Sequence, residues 1–305
     1  MDVVLVLFGL AALLFGGDAL VRGAVGVARR FGVSPLVIGL TLVGFGTSAP
    51  ELVTSLSAAL SGAPAISLGN VVGSNIANIL LILGLAALVR PVVAHMPALP
   101  REAAWVGGSA LLLAALSLSG QVATWAGAGL LALLAAYLWG AFRSSHAPDD
   151  DLSIPADPLA GAALRLIAGM ALTIAGAIAL VDGATGIARG YGVPEAVIGL
   201  TLVAVGTSLP ELATSVIAAR RGQSDVALGN ILGSGIFNIL GILGTTALVA
   251  PLPMDPVISR DIWIMLGTTA LLLALLFWRA RISRLSGSAF LALYAGYMAW
   301  LSQTF

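Results

Sequence analysis

The chain has no cysteine and no lysine, only two histidines, and charged side chains at just 9% of its 305 positions. Without thiols there are no disulfides and no thiolate metal centres. Zero net charge, with arginine as the sole cation, offers no basic surface for nucleic acid and points to no obligate protein partner. His95 and His146 fall in short polar connections and need no role as metal ligands. A soluble domain carries roughly 25% charged residues, so this chain has too few to cover a surface in water. Apolar residues take their place at 59% of positions, and the solvent they imply is lipid.

A membrane-spanning helix needs about 20 mostly apolar residues. Cutting the sequence at proline, glycine and charged clusters gives ten such segments, over residues 3–28, 35–60, 65–89, 101–119, 121–142, 159–188, 194–219, 225–250, 260–278 and 285–303. The start, Met-Asp-Val-Val-Leu, lacks a basic n-region and makes a poor cleavable signal, so the first segment reads as a retained helix. The polar stretch 144–158 divides the chain into two halves, 1–143 and 159–305. If connections alternate sides, Arg29, Arg30, Arg90, Arg101, Arg143, Arg165, Arg220, Arg221, Arg279, Arg281 and Arg284 share one side. Arg189 and Arg260 share the other, with Arg22 left out as lying inside a helix. Arginine-rich connections face the cytoplasm, which places both termini outside the inner (plasma) membrane and the 144–158 linker inside.

The halves are copies. Residues 39–84 align without gaps on 199–244, with 28 of 46 positions identical. Each half holds five helices, an odd number, so the second must enter the membrane upside down. The expected fold is therefore an all-α polytopic membrane protein of ten transmembrane helices in two inverted-topology repeats. Secondary transporters use such repeats and bind substrate near the midplane where the halves meet.

The two copies share their polar residues in particular. Gly46-Thr47-Ser48-Ala49-Pro50-Glu51 matches Gly206-Thr207-Ser208-Leu209-Pro210-Glu211. Gly69-Asn70-Val71-Val72-Gly73-Ser74-Asn75, with Asn78, matches Gly229-Asn230-Ile231-Leu232-Gly233-Ser234-Gly235, with Asn238. Pro50 has no N–H, so the carbonyl four residues earlier loses its partner, and Gly44 and Gly46 are expected to ease opening of the helix there. Freed carbonyls at membrane depth survive only inside protein or a wet cavity. Helical spacing puts Thr47, Ser48 and Glu51 on one face, and likewise Thr207, Ser208 and Glu211, Ser74 and Asn78, and Ser234 and Asn238. If these helices converge, the result is an all-oxygen site, which suits a hard cation. Calcium takes six to eight oxygens in flexible geometry, and sodium is similar in size. Magnesium demands a tighter octahedron. Two ionised glutamates in mid-membrane are costly. One Ca²⁺, two Na⁺ or two protons would balance them, so these ions compete for one place.

Other charges read as structural. Asp18 and Arg22 are four apart and pair, Asp182 is a solvated end charge, and Glu195 and Asp225 sit at helix starts where the dipole favours them. Asp149, Asp150, Asp151 and Asp157 belong to a solvated linker.

Gly-Thr-Ser-x-Pro-Glu followed by Gly-Asn-x-x-Gly-Ser-x-x-x-x-Asn, present twice, resembles the α-repeats of the cation/calcium exchanger superfamily, and most of all its prokaryotic sodium/calcium exchanger branch. The resemblance implies cation ligands from the side chains of Glu51, Glu211, Ser48, Ser208, Ser74, Ser234 and Asn78. Thr47, Thr207 and the backbone carbonyls of Gly44 and Ala204 are implied as well. It further implies three sodium ions alternating with one calcium, and the first and sixth helices sliding over the other eight. Asn238 stands where potassium-dependent members carry aspartate, which disfavours potassium co-transport. The copies also differ at Asn75 and Gly235, so the two sides of the site are not equivalent, and the short linker leaves no room for a calcium-sensing domain.

Electrogenic Na⁺/Ca²⁺ antiport across the bilayer, with no cofactor, is the reading these features favour. Ca²⁺/H⁺ exchange remains an alternative, although proton-coupled relatives carry acidic and histidine residues where Gly73-Ser74 stands here. A cation channel is more remote, since two halves enclosing one midplane site leave no evident vestibule. An enzyme would need a membrane-embedded catalytic dyad, and none is recognisable.

Overall fold

The computed structural model describes residues 1–94, 99–143, 158–192, 204–254 and 256–303. These residues are mostly helical. The helices are α1 (Asp2–Phe31), α2 (Pro35–Thr47), α3 (Ala49–Leu60), α4 (Pro64–Val89), α5 (Leu99–Ser117), α6 (Thr124–Arg143), α7 (Leu159–Gly190), α8 (Leu209–Arg220), α9 (Ser224–Val249), α10 (Pro256–Arg279) and α11 (Arg284–Leu301). A single turn, Ala204–Gly206, precedes α8. Among the described residues six helices are long and apolar enough to cross a membrane, or seven if the bent pair α2–α3 counts as one. Residues 194–203 of the expected segment 194–219 lie outside the described residues, as do His95, His146, Glu195, Asp149, Asp150, Asp151 and Asp157.

Two expected segments need correction. The segment 35–60 is not one helix: it breaks at Ser48, and α2 and α3 meet at 45°. The segment 121–142 begins as a strand. Gln121–Val122 (β2) pairs antiparallel with Leu252–Pro253 (β3), just as Val92–Val93 (β1) pairs with Arg281–Ile282 (β4). These two-residue ladders give connecting backbone at the helix ends the hydrogen bonds it could not otherwise find.

Helices α4 and α9 form the centre. In α9, 94% of the most apolar stretch is buried and in α4 72%, against 33% for α1, α7 and α10. Their core neighbours come from α5, α6, α10 and α11, including Leu113, Leu130, Tyr137, Leu272 and Phe290. Both central helices loosen into a π-helical turn, at Asn78–Ile82 in α4 and Phe237–Ile242 in α9. Such turns shift the helical register and concentrate at functional sites.

Helices α1 and α7 pack on each other with almost nothing between their backbones. A Cβ on Gly9 would lie 2.7 Å from the Gly176 carbonyl, one on Gly16 2.7 Å from Thr173 N, and one on Gly23 2.3 Å from Leu166 N. From the other side, a Cβ on Gly169 would lie 2.3 Å from Leu20 N and one on Gly183 2.6 Å from the Asp2 carbonyl. The glycines recur every seven residues on both helices and run antiparallel, Gly9 facing Gly176 and Gly16 facing Gly169. In lipid no hydrophobic force pulls helices together, and close backbone approach through small residues supplies the attraction instead.

A further pair of matching contacts lies outside the aligned stretch. The buried carboxylate of Glu102 accepts from Arg101 and from the Tyr137 hydroxyl at 3.2 Å. Asp261 accepts from Arg260 at 3.4 Å and from the Tyr297 hydroxyl at 3.3 Å. Each cluster ties a helix start to the following helix, α5 to α6 and α10 to α11. Asp18 pairs with Arg22 at 2.9 Å, as its spacing predicts, and also receives Arg221 from the end of α8. Asp182 is exposed and Asp225 lies in the first turn of α9, both in line with the sequence reading.

Candidate functional site

The break at Ser48 follows from the local sequence. Pro50 cannot donate, and Ser48 takes φ −82° and ψ 8°, outside the helical well. Ser208, ahead of Pro210, adopts φ −90° and ψ 6°. Each break turns a serine hydroxyl off its own helix and towards the other half.

The outcome is a pair of crossed bonds. Ser48 Oγ donates to Glu211 Oε1 at 2.9 Å, and Ser208 Oγ donates to Glu51 Oε1 at 2.9 Å. Both carboxyl groups are buried, each residue only 1% exposed. Their second oxygens, Glu51 Oε2 and Glu211 Oε2, have no hydrogen-bond partner, and neither does Asn78 Oδ1 or Asn238 Oδ1. Unpaired buried oxygens are costly. The two carboxylate oxygens are acceptors without a proton donor, which a cation would satisfy, while Asn238 leaves its Nδ2 unpartnered as well.

Asn70 and Asn230 hold this arrangement. Asn230 Oδ1 accepts from Thr47 Oγ1 at 3.0 Å, while its Nδ2 donates to the Glu211 carbonyl and to Ser215 Oγ. Asn70 Nδ2 donates to the Glu51 carbonyl at 3.2 Å and to Ser55 Oγ at 2.9 Å. Neither asparagine is among the ligands that helical spacing or family resemblance picks out. The sequence does carry their signal, because Asn70 and Asn230, like Ser55 and Ser215, are identical at equivalent places in the two copies.

The remaining candidates fall nearby with differing surroundings. Ser74, Asn78, Ser234 and Asn238 are buried on α4 and α9. Ser234 Oγ donates to the Gly44 carbonyl at 3.0 Å, and Thr47 Oγ1 and Ser48 N also reach that oxygen. The Gly44 carbonyl is thus held by protein donors rather than left free by the break. Thr207 is half-buried beside Ser208, and Ala204 belongs to the turn before α8.

The glycines ahead of Pro50 act differently from the expected easing of the break. A Cβ on Gly44 would meet Ser234 N at 2.9 Å, and one on Gly46 would strike Met170 Cε at 2.1 Å. They admit the α9 backbone and a side chain of α7. A Cβ on Gly233 would likewise lie 2.1 Å from the Leu40 carbonyl, so α2 and α9 touch backbone to backbone. The stacked rings of Phe45 and Phe237, with centroids 4.4 Å apart, flank this contact.

Among the described residues no three of His, Cys, Asp and Glu cluster as a metal-holding group. A cation here would therefore rest on two carboxylates and several neutral oxygens, a donor set for hard ions and not for zinc or copper.

Known proteins share this organisation. Residues 1–143 and 161–303 match the family described as Sodium/calcium exchanger protein. CaxA of Alkalimonas amylolytica is 40% identical over 311 residues, covering 96% of each chain. The sodium/calcium exchanger MaX1 of Methanosarcina acetivorans is 34% identical over 290 residues, covering 81% of this chain and 83% of its own. Among solved structures, the sodium-calcium exchanger NCX_Mj soaked without Na⁺ and Ca²⁺ superposes with a TM-score of 0.89 at 35% identity, over 98% of both chains. With both halves matched and the fold shared end to end, this multi-pass membrane protein belongs to the sodium/calcium exchanger family, in the prokaryotic branch of the cation/calcium exchanger superfamily.

Proposed function

We propose that the chain is a secondary antiporter that exchanges Na⁺ for Ca²⁺ at one all-oxygen site in mid-membrane. The observation that carries this is the crossed pair of buried glutamates, each bonded through one oxygen to the other half's serine and unpartnered at the second oxygen. Glu51 and Glu211 supply the charge. Ser48, Ser208, Thr47, Thr207, Ser74, Ser234, Asn78 and Asn238 supply neutral oxygens, together with the carbonyls of Gly44 and Ala204. Two negative charges accept one Ca²⁺ or two Na⁺, so calcium leaves only as sodium arrives.

On this reading the chain spans the membrane ten times, as two inverted halves joined by a cytoplasmic linker at 144–158, with both termini outside the inner membrane. Access alternates as α1 and α7 slide together over the other helices. Their glycine-lined contact supports their moving as one unit, because no side chain lies between the backbones to let one helix slip alone.

The test is calcium uptake into proteoliposomes with and without an outward sodium gradient. Uptake that needs internal sodium and reverses with the gradient is expected. Uptake driven by internal protons alone would favour Ca²⁺/H⁺ exchange, which the same carboxyl pair could serve. Uptake without any counter-ion would overturn the antiporter in favour of a channel.

A further inference from the structure

A small cavity lies between the central helices and their neighbours, lined by Asn75 and Asn78 of α4, Ser109 of α5, Gly235 of α9 and Thr269 of α10. Its volume open to a water-sized centre is about 10 Å³, room for one water or one small ion.

The hydroxyl protons of its polar lining are directed away from it. Ser109 Oγ donates to the Val106 carbonyl at 3.0 Å and Thr269 Oγ1 to the Met265 carbonyl at 2.8 Å, so each hydroxyl has spent its only hydrogen on its own helix. Asn75 Nδ2 donates to the Val71 carbonyl at 2.8 Å, which turns its Oδ1 towards Gly235, where a Cβ would lie 2.9 Å from that oxygen. Asn78 is 2% exposed and its Oδ1 has no partner. Two hydroxyl oxygens, the Asn75 amide and the Asn78 amide with its unpartnered Oδ1 therefore line one small space.

The cavity also depends on the place where the two copies differ. Ser109 and Thr269 occupy equivalent positions in the two halves, 160 residues apart. Asn75 and Gly235 are equivalent too, but only one of them has a side chain. Asn75 supplies an oxygen and Gly235 leaves the room, so the site forms once, between the halves.

We infer that this cavity is an accessory monovalent-cation site, with Asn75 Oδ1, Asn78 Oδ1, Ser109 Oγ and Thr269 Oγ1 as its ligands and Na⁺ as its occupant. Hydroxyls that have spent their protons and an unpartnered amide oxygen favour a cation over an anion. Carboxylate-free lining disfavours a divalent ion, because the cost of stripping water rises with the square of the charge while neutral oxygens return little of it. The hydroxyls of α5 and α10 would then sense sodium directly, although neither helix carries a residue of the proposed exchange site. The inference takes sodium as the ion from the proposed function, shares Asn78 with the proposed exchange site, and otherwise stands on this cavity.

The test uses the full chain in proteoliposomes and compares Ser109→Ala, Thr269→Val and Thr269→Ser with the unsubstituted protein. The half-saturating Na⁺ concentration should rise about tenfold in the first two, by the scale of lost ligand-shell contacts, and the Hill coefficient for Na⁺ should fall. Half-saturating Ca²⁺ should stay within about twofold, and Thr269→Ser should restore the Na⁺ response. Gly235→Ala, whose methyl would press on Asn75 Oδ1, should act like Ser109→Ala. Sodium dependence unchanged in all these variants, or sodium and calcium weakened together, would overturn the site and leave a trapped water as the occupant. Sodium-independent transport by the unsubstituted protein would instead refute the exchanger reading.

Discussion

Replacing Glu51 or Glu211 by glutamine removes one unit of charge and little else. Glutamine keeps an Oε1 in place, so Ser208 or Ser48 retains its acceptor at 2.9 Å. At a ligand distance of ~2.4 Å and an effective dielectric of ~20, one carboxylate charge attracts Na⁺ by about 7 kcal/mol and Ca²⁺ by about 14 kcal/mol. These are gross attractions, reduced by the water each ion gives up, but the ratio of two persists. If a third of the ~7 kcal/mol difference survives, calcium weakens about 50-fold more than sodium, since each 1.4 kcal/mol is tenfold. With only one negative charge left, calcium would sit as a net positive charge in a buried site. Sodium-driven ⁴⁵Ca²⁺ uptake should fall at least about 100-fold in each variant. Thermal stability should hold or rise, because a desolvated charge has gone and no hydrogen bond has been lost. The assay is uptake in proteoliposomes beside sodium and calcium titrations of stability in detergent. Exchange within threefold of the unsubstituted protein, or equal weakening of both ions, would refute the reasoning.

Three more substitutions test the supporting structure. Gly169→Ala puts a Cβ 2.3 Å from backbone Leu20 N. It should cost about 1–3 kcal/mol of stability by overpacking, whereas Gly129→Ala, with open space around it, should be neutral or stabilising by up to ~1 kcal/mol; melting curves in one detergent decide between them. Asn230→Ala takes the donor from Ser215 and the Glu211 carbonyl and leaves Thr47 only the carbonyls of its own helix. A loss of about 1–3 kcal/mol with exchange falling more steeply than stability is expected from uptake and melting of the same preparation. Glu102→Ala leaves Arg101 unpaired against a buried wall and takes the acceptor from Tyr137. Because Arg101 keeps 29% of its side chain in solvent, the cost should be about 2–3 kcal/mol, with half-saturating Na⁺ and Ca²⁺ unchanged in uptake assays.

Much of the site was legible because its signals are local or repeated. A proline without an N–H must break a helix wherever it falls inside one, and both copies show the break two residues ahead of the proline, at Ser48 and Ser208. The burial of Glu51, Glu211, Asn78 and Asn238 follows from their place in apolar helices. Less legible were features whose partner lies far along the chain. Gly44 and Gly46 beside a proline look like hinge residues, yet they are glycine because Ser234 N and Met170 come close. Reading that requires knowing that α9 and α7 cross there. The seven-residue spacing of glycine in α1 and α7 is visible in the sequence, but the antiparallel register that makes it a contact is not. Asn70 and Asn230 fell between the two kinds. Repetition marked them, but an asparagine beside a carboxylate looks like a ligand or like nothing, and only geometry shows it gripping the glutamate's backbone.

The crossed bonds also bear on why the two halves share the polar residues Thr47/Thr207, Ser48/Ser208, Glu51/Glu211 and Asn70/Asn230. Ser48 lies in the first copy but serves the carboxylate of the second, and Ser208 does the reverse. Thr47 likewise bonds Asn230, and Ser234 bonds the Gly44 carbonyl. Neither half can satisfy its own glutamate. A cation between the carboxylates would therefore pull on both helix breaks at once, and its departure would release both. Ion binding and the alignment of the halves become one equilibrium, as coupling between ion and access requires. Where the copies do differ, at Asn75 and Gly235, the change alters the neutral lining at one edge and leaves the charged pair intact. On the proposed function, an imbalance there would tune which ion is held without undoing the mutual dependence of the two halves.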